Sequence, residues 1–257
     1  MNTHKQTKED TGMDHSAFFW LHIKKSAGIS TRHLLQPYYQ EVDRCQWPAN
    51  FIQSPKSHYN DILNNYRMLL GEYQFRRSLF AKEVLYPGEW DKMLSFAFSR
   101  NPVDRCISMF YYLYWQGGGL KKWLRSAVRK TIKTGRLHYS TALAFDHFLD
   151  YLAQAQQADS IYQPLGSHFS THTNTMWRDV SDREGNIIVT RIYRLESLVP
   201  GLNQIFEACG LPKRLQHSQR SNATSNKGQY QPSPSQRGKI ERLFARDFEL
   251  YESALSC

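Results

Sequence analysis

Apolar residues gather in four stretches of the chain: residues 18–23 (FFWLHI), 78–84 (SLFAKEV), 93–98 (MLSFAF) and 186–195 (NIIVTRIYRL). The first and third run almost unbroken, as strands do when helices cover both faces of their sheet. The stretch 78–84 carries the weakest strand pattern of the four. Elsewhere the apolar positions recur at helical spacing. They predict helices over 30–36, stopped by Pro37, and over 102–115, 143–156, 196–208 and 235–254. Strands alternating with helices predict a single α/β domain with a central, mostly parallel sheet flanked by helices. Residues 1–16 are polar and of mixed charge, so the domain is expected over 17–257 behind a disordered tail.

Two polar stretches break the alternation. After Gly117, Gly118 and Gly119 come Lys121, Lys122, Arg125, Arg129, Lys130, Lys133 and Arg136 with no acid among them. Trp123, Leu124, Ala127, Val128 and Ile132 fall at helical spacing on the other side, so 117–140 reads as a basic, helical insertion. Residues 220–239 are rich in Ser, Asn, Gln, Gly and Pro and read as a loop. The chain as a whole has 33 Lys and Arg against 23 Asp and Glu, a net charge of +10. That excess favours an anionic partner: nucleic acid, a membrane surface, a polyanionic glycan or a phosphorylated nucleotide. Cys45, Cys106, Cys209 and Cys257 are widely spaced, which suggests neither a zinc ribbon nor a disulfide framework. Reduced thiols and a cytoplasmic location are expected. No apolar run reaches the ~18 residues of a membrane span.

Candidate chemistry sits at two strand ends. In HIKKSAGIST, residues 22–31, a strand runs through a small-residue turn into a helix start. Exposed N–H groups with a helix dipole behind them attract an anion. Lys25 adds a mobile charge, Gly28 lets the backbone approach closely, and Ser30 or Thr31 can donate a hydroxyl. The spelling is not that of a Walker loop, because Lys25 precedes Gly28 and no GK[ST] occurs anywhere. In FAFSRNPVDRCISMFYYLY, residues 96–114, a strand ends at Ser99 and Arg100, with Asn101 as N-cap and Pro102 at the first helical position. Val103, Ile107, Phe110, Tyr111 and Tyr114 make one core-facing stripe, leaving Arg100, Arg105 and Ser108 to explain. Arg100 stands where open α/β sheets bind ligands and can clamp phosphate oxygens, the alternative being a structural pair with Asp104.

Together these segments resemble the sulfotransferases that use 3′-phosphoadenosine 5′-phosphosulfate (PAPS), especially their carbohydrate-type family 2 branch. The branch's first motif, roughly H-I-P-K-T-A-G-T-S, is matched by His22-Ile23-Lys24-Lys25-Ser26-Ala27-Gly28-Ile29-Ser30, with Lys24 in place of proline. Its second motif, F-x-x-R-[ND]-P-x-[DE]-R-x-x-S-x-Y, is matched with Phe110 for the last Tyr. Trp90 and Asp91, YRLESL at 193–198, RSNAT before Tyr230 and IERLFARDFELYE extend the likeness over most of 18–252. The resemblance implies a P-loop nucleotide-hydrolase-like sulfotransferase fold and PAPS as donor, with adenosine 3′,5′-bisphosphate as product. No metal is implied. The acceptor implied is a hydroxyl on a glycan or glycolipid. Lys24, Lys25, Ser26, Ala27, Gly28, Ile29, Ser30 and Thr31 would hold the 5′-phosphosulfate. Arg100 and Ser108 would hold the 3′-phosphate, while Asn222 and Lys227 would belong to a loop closing over the nucleotide.

Sulfuryl transfer to a hydroxyl needs charge stabilisation on the leaving phosphate, a role for Lys25, and a base at the acceptor oxygen. Glu72 in LLGEYQF occupies the region where related enzymes keep a Glu or His base. His168 matches the start of the family's H-x-x-x-Q segment, with His172 replacing the Gln, and His58 is an upstream alternative. The basic stretch 119–136 is either a solvated face, a rim for an acidic acceptor, or an amphipathic helix for peripheral contact with anionic lipid. A kinase-like nucleotide-binding protein and a basic RNA-binding module are the rival classes. The first lacks the Walker lysine and the second lacks any RNA-binding signature, so nucleic acid is disfavoured.

Overall fold

The computed structural model describes residues 18–35, 63, 70–115, 128–129, 131–132, 135, 140–158, 167–211, 215 and 230–257. Three strands form a parallel sheet: β1 (Phe18–Leu21), β2 (Leu94–Ser99) in the centre and β3 (Arg191–Arg194). Phe18 pairs with Leu94, and Phe96 with Arg191. Because the pleat alternates, each strand feeds two cores. Phe19, Leu21, Ala97 and Ile192 pack on one side with Trp90, Met176 and Val180. Trp20, Leu94, Phe96, Phe98 and Tyr193 pack on the other with Leu202, Ile205 and Phe206. All six residues of β2 are buried, Ser95 and Ser99 included, as a strand covered on both faces requires. A third apolar cluster, around Phe110, Phe145 and Phe148, lies among helices alone.

The parallel order brings the C-terminal ends of β1 and β2 to the same edge of the sheet, and helices start just beyond both. Helix α1 (Gly28–Leu35) follows β1. The segment expected as a weak strand at 78–84 is helical instead: α2 (Arg77–Phe80) continues as a π-helical turn over Ala81–Leu85. Arg77, Ala81 and Leu85 are buried at i, i+4 and i+8, a helical spacing. The Arg77 guanidinium also donates to both oxygens of buried Asp179, at 2.8 and 2.5 Å. Helix α3 (Pro102–Met109) follows β2, and the Asn101 side chain accepts from the N–H groups of Val103 and Asp104, as its sequence foretold. It too ends in a π-helical turn, Phe110–Tyr114.

Helix α4 (Thr141–Ala158) is longer than the pattern predicted. Two short helices, α5 (Ser167–Thr173) and α6 (Met176–Val180), were not foreseen, for their Ser, Thr and His content hides any periodicity. Of the expected strand 186–195 only Arg191–Arg194 pairs in the sheet. Ile188 instead returns its N–H to Val180, and Ser181 bridges Ile187 antiparallel. Helix α7 (Leu198–Ala208) follows β3. The predicted final helix is two, α8 (Pro234–Leu243) and α9 (Ala245–Ser253), broken at Phe244. The tail at 1–16, most of the basic insertion 117–140 and residues 220–229 of the loop lie outside the described residues. Within the insertion, Val128 and Ile132 are exposed.

Candidate active site

The turn between β1 and α1 carries two left-handed residues, Lys25 (φ 67°) and Ala27 (φ 53°), neither of them glycine. Each costs about 1 kcal/mol in an ordinary chain, and such turns bring successive N–H groups to one concave side that suits an anion. What holds this strained turn is the start of the helix after β2. Arg100 donates from Nη1 to the Lys25 carbonyl at 3.0 Å. Arg105 donates from Nε to the Lys24 carbonyl at 3.1 Å and from Nη2 to the Asn174 carbonyl at 2.6 Å. Arg105 also pairs with buried Asp247 at 3.4 Å, and that carboxylate accepts the N–H groups of Met176 and Trp177. One guanidinium thus ties the anion turn, α6 and α9 together. Sequence reasoning left Arg105 without a role, although its place in the motif marked it.

Gly28 is required here for space. A Cβ at that position would overlap the His22 ring, which lies against it. His22 stacks on Trp20 at 5.2 Å, and its buried Nδ1 has no hydrogen-bond partner. Burial, with Lys24 and Arg32 nearby, holds its pKa well below the usual imidazole range.

The electrostatics of the turn suit an anion. Burial, reinforced by Arg100 and Arg105, pushes the Lys25 ammonium down to about 8. Burial also lowers the Arg100 pKa, with Asp104 and Glu196 acting against it from a distance. Among the described residues no carboxylate lies within ion-pair distance of Lys25 or Arg100, so the structural pairing of Arg100 with Asp104 does not form. The buried Ser26 hydroxyl is unpartnered as well. Half-desolvated cations beside an unpartnered hydroxyl suit an anionic ligand. Ser108 is half-buried on α3, one turn after Arg105.

Other candidates divide sharply. Thr31 is not free to serve: it is buried, and both its N–H and its hydroxyl bond to the Ala27 carbonyl. Glu72 does not join the cluster. Its side chain is 65% exposed and pairs with Arg183 at 3.3 Å on the surface. His168, in contrast, lies at the site on α5, its pKa lowered by burial and then by Lys24 and Lys25. The His172 ring sits 4.2 Å from it, centroid to centroid. His172 Nδ1 donates to the His168 carbonyl at 2.8 Å, since a carbonyl can only accept. Burial, then Lys24, pushes His172 down to about 2. Tyr112 completes the group, with the Lys25 ammonium 4.0 Å from its ring centre. His58, Asn222 and Lys227 lie outside the described residues. Among those described, no group of three or more His, Cys, Asp or Glu could hold a metal ion.

An anion turn at the end of one parallel strand, held by arginines from the next, lies where open α/β sheets bind their ligands. A family model described as the Sulfotransferase family matches residues 13–253, and the chain belongs to that family. It is a sulfotransferase, with a sulfate donor and a hydroxyl-bearing acceptor as the family's reactants. No curated protein and no solved structure matches it.

Proposed function

We propose that this sulfotransferase takes its sulfuryl group from PAPS and passes it to a hydroxyl of a carbohydrate. The observation that carries the donor assignment is the cluster of Lys25 and Arg100, desolvated and without a carboxylate, around a turn with two left-handed residues. The donor supplies a sulfuryl group joined to a phosphate that can leave. Lys25 offers its charge where negative charge gathers on that phosphate, and the N–H groups of Ala27 and Gly28 at the start of the helix add fixed dipoles. Arg100 and Ser108 hold the 3′-phosphate, which separates this donor from ATP. His168 accepts the proton of the acceptor hydroxyl, for its lowered pKa leaves the imidazole neutral and ready near pH 7. The carbohydrate class is supported by the likeness of both motifs to the carbohydrate-type branch.

Isothermal titration with adenosine 3′,5′-bisphosphate tests the donor, with adenosine 5′-monophosphate and ATP as controls. Micromolar binding that needs the 3′-phosphate and falls at least about tenfold in both Lys25→Ala and Arg100→Ala is expected. Equal binding of ATP would refute the assignment in favour of a kinase-like protein. Transfer from the sulfate donor that survives in His168→Ala would remove that residue as the base.

A further inference from the structure

Tyr112 is placed unlike its neighbours. It belongs to the π-helical turn Phe110–Tyr114, in which Phe110 and Tyr114 are wholly buried in the helical core, yet Tyr112 is 51% exposed. Inserted π turns shift side-chain phase by part of a turn and are common at functional sites. Here the shift leaves an aromatic ring beside the candidate reacting groups. The Lys25 ammonium stands 4.0 Å from its centroid, and the rings of His172 and His168 lie 5.2 and 5.7 Å away. The ring is half-exposed, and its ring and cation contacts are with these three groups rather than with the helical core.

We propose that Tyr112 is the floor of an acceptor subsite that takes an uncharged pyranoside, packing the sugar's C–H face against the phenol ring beside His168. This rests on the donor and base assignments above. An aromatic face recognises the apolar side of a sugar ring, while nearby imidazoles meet its hydroxyls. Charge decides between neutral and acidic sugars. The cation at this ring is Lys25, which the donor's phosphosulfate also requires. An acidic group seated on Tyr112 would therefore lie against the donor's own negative charge. The hydroxyl to be sulfated is then one on the edge of the ring that faces His168.

Saturation-transfer NMR with the full chain tests the subsite, with adenosine 3′,5′-bisphosphate present so that Lys25 faces its anion. The probes are the methyl β-glycosides of glucose, galactose and N-acetylglucosamine, with glucitol as the ringless control and methyl glucuronide as the charged one. At least one neutral glycoside is expected to receive saturation on its ring C–H protons, with glucitol silent and the glucuronide weaker. Tyr112→Ala should weaken that binding about five- to tenfold, and Tyr112→Phe should stay within about twofold of wild type. Tyr112→Phe should also bind the bisphosphate like wild type and keep its melting temperature, because the ring that faces Lys25 is retained. Equal glycoside binding in Tyr112→Ala, no neutral glycoside bound, or preference for the glucuronide overturns the subsite. If wild type does not bind the bisphosphate at all, the donor assignment fails instead.

Discussion

Replacing Arg105 with methionine removes the guanidinium that holds the anion turn while keeping most of the side chain's volume. In the wild type that group bonds the carbonyls of Lys24 and Asn174 and pairs with Asp247, and both ion-pair partners are at most 1% exposed. The methionine variant keeps Asp247 buried with only the N–H groups of Met176 and Trp177 to face it. Breaking a buried pair in this way costs about 3–5 kcal/mol, a large share of the roughly 5–15 kcal/mol that keeps a domain folded. In urea, with a slope of about 1–3 kcal/mol/M, the midpoint should fall by about 1 M or more at unchanged slope.

The pH dependence has a definite sign. Burial already raises the Asp247 pKa against the pull of Arg105, and removing that cation raises it further. A carboxyl whose folded pKa lies above its unfolded one favours folding most below the unfolded value. That contribution is lost as pH rises through the folded value. The variant's deficit should therefore be smallest near pH 4 and grow towards neutrality. Arg105→Met combined with Asp247→Asn should regain part of the loss, since no charge is then left alone. A deficit under about 1 kcal/mol, or a double variant no better than the single one, would refute the buried pair as the brace of the turn.

Two further outcomes follow from the same turn. Burial pushes the Lys25 ammonium down to about 8, so bisphosphate affinity should be full below that pH and decline above it, as titration calorimetry from pH 6.5 to 9.5 would show. Lys25→Arg should flatten that decline, because a guanidinium stays charged throughout. Gly28→Ala drives a methyl into the His22 ring and should cost about 1–3 kcal/mol in stability, together with most bisphosphate binding. His22→Ala in the same chain should restore room and recover binding; failure to do so would show that another contact forbids the methyl.

Local chemistry made the two anchoring segments legible without coordinates. FFWLHI and MLSFAF are almost continuously apolar, as strands covered on both faces are. Asn101 and Pro102 announced the helix after β2, and the paired motifs announced the family. SLFAKEV was misleading because seven residues of mixed character fit a strand as well as a helix. Its place was decided by Arg77, which reaches Asp179 across the chain. Glu72 shows the same limit for chemistry. Its sequence position suited a base, yet Arg183, distant in sequence, draws it to the surface.

By itself, then, the sequence determined the strand–turn–helix units, their parallel arrangement, and Lys25 and Arg100 as the charges at their ends. The units and their end charges follow from residues within about one turn of one another, and the parallel order from strands alternating with helices along the chain. Tertiary structure alone decided that Arg105 would brace the turn, that Gly28 would be a matter of room for His22, and that Tyr112 would meet both Lys25 and His168. Those relations join residues far apart in the chain. Their partners are selected by burial, where a polar group without a neighbour is costly, and no local pattern records which neighbour it finds.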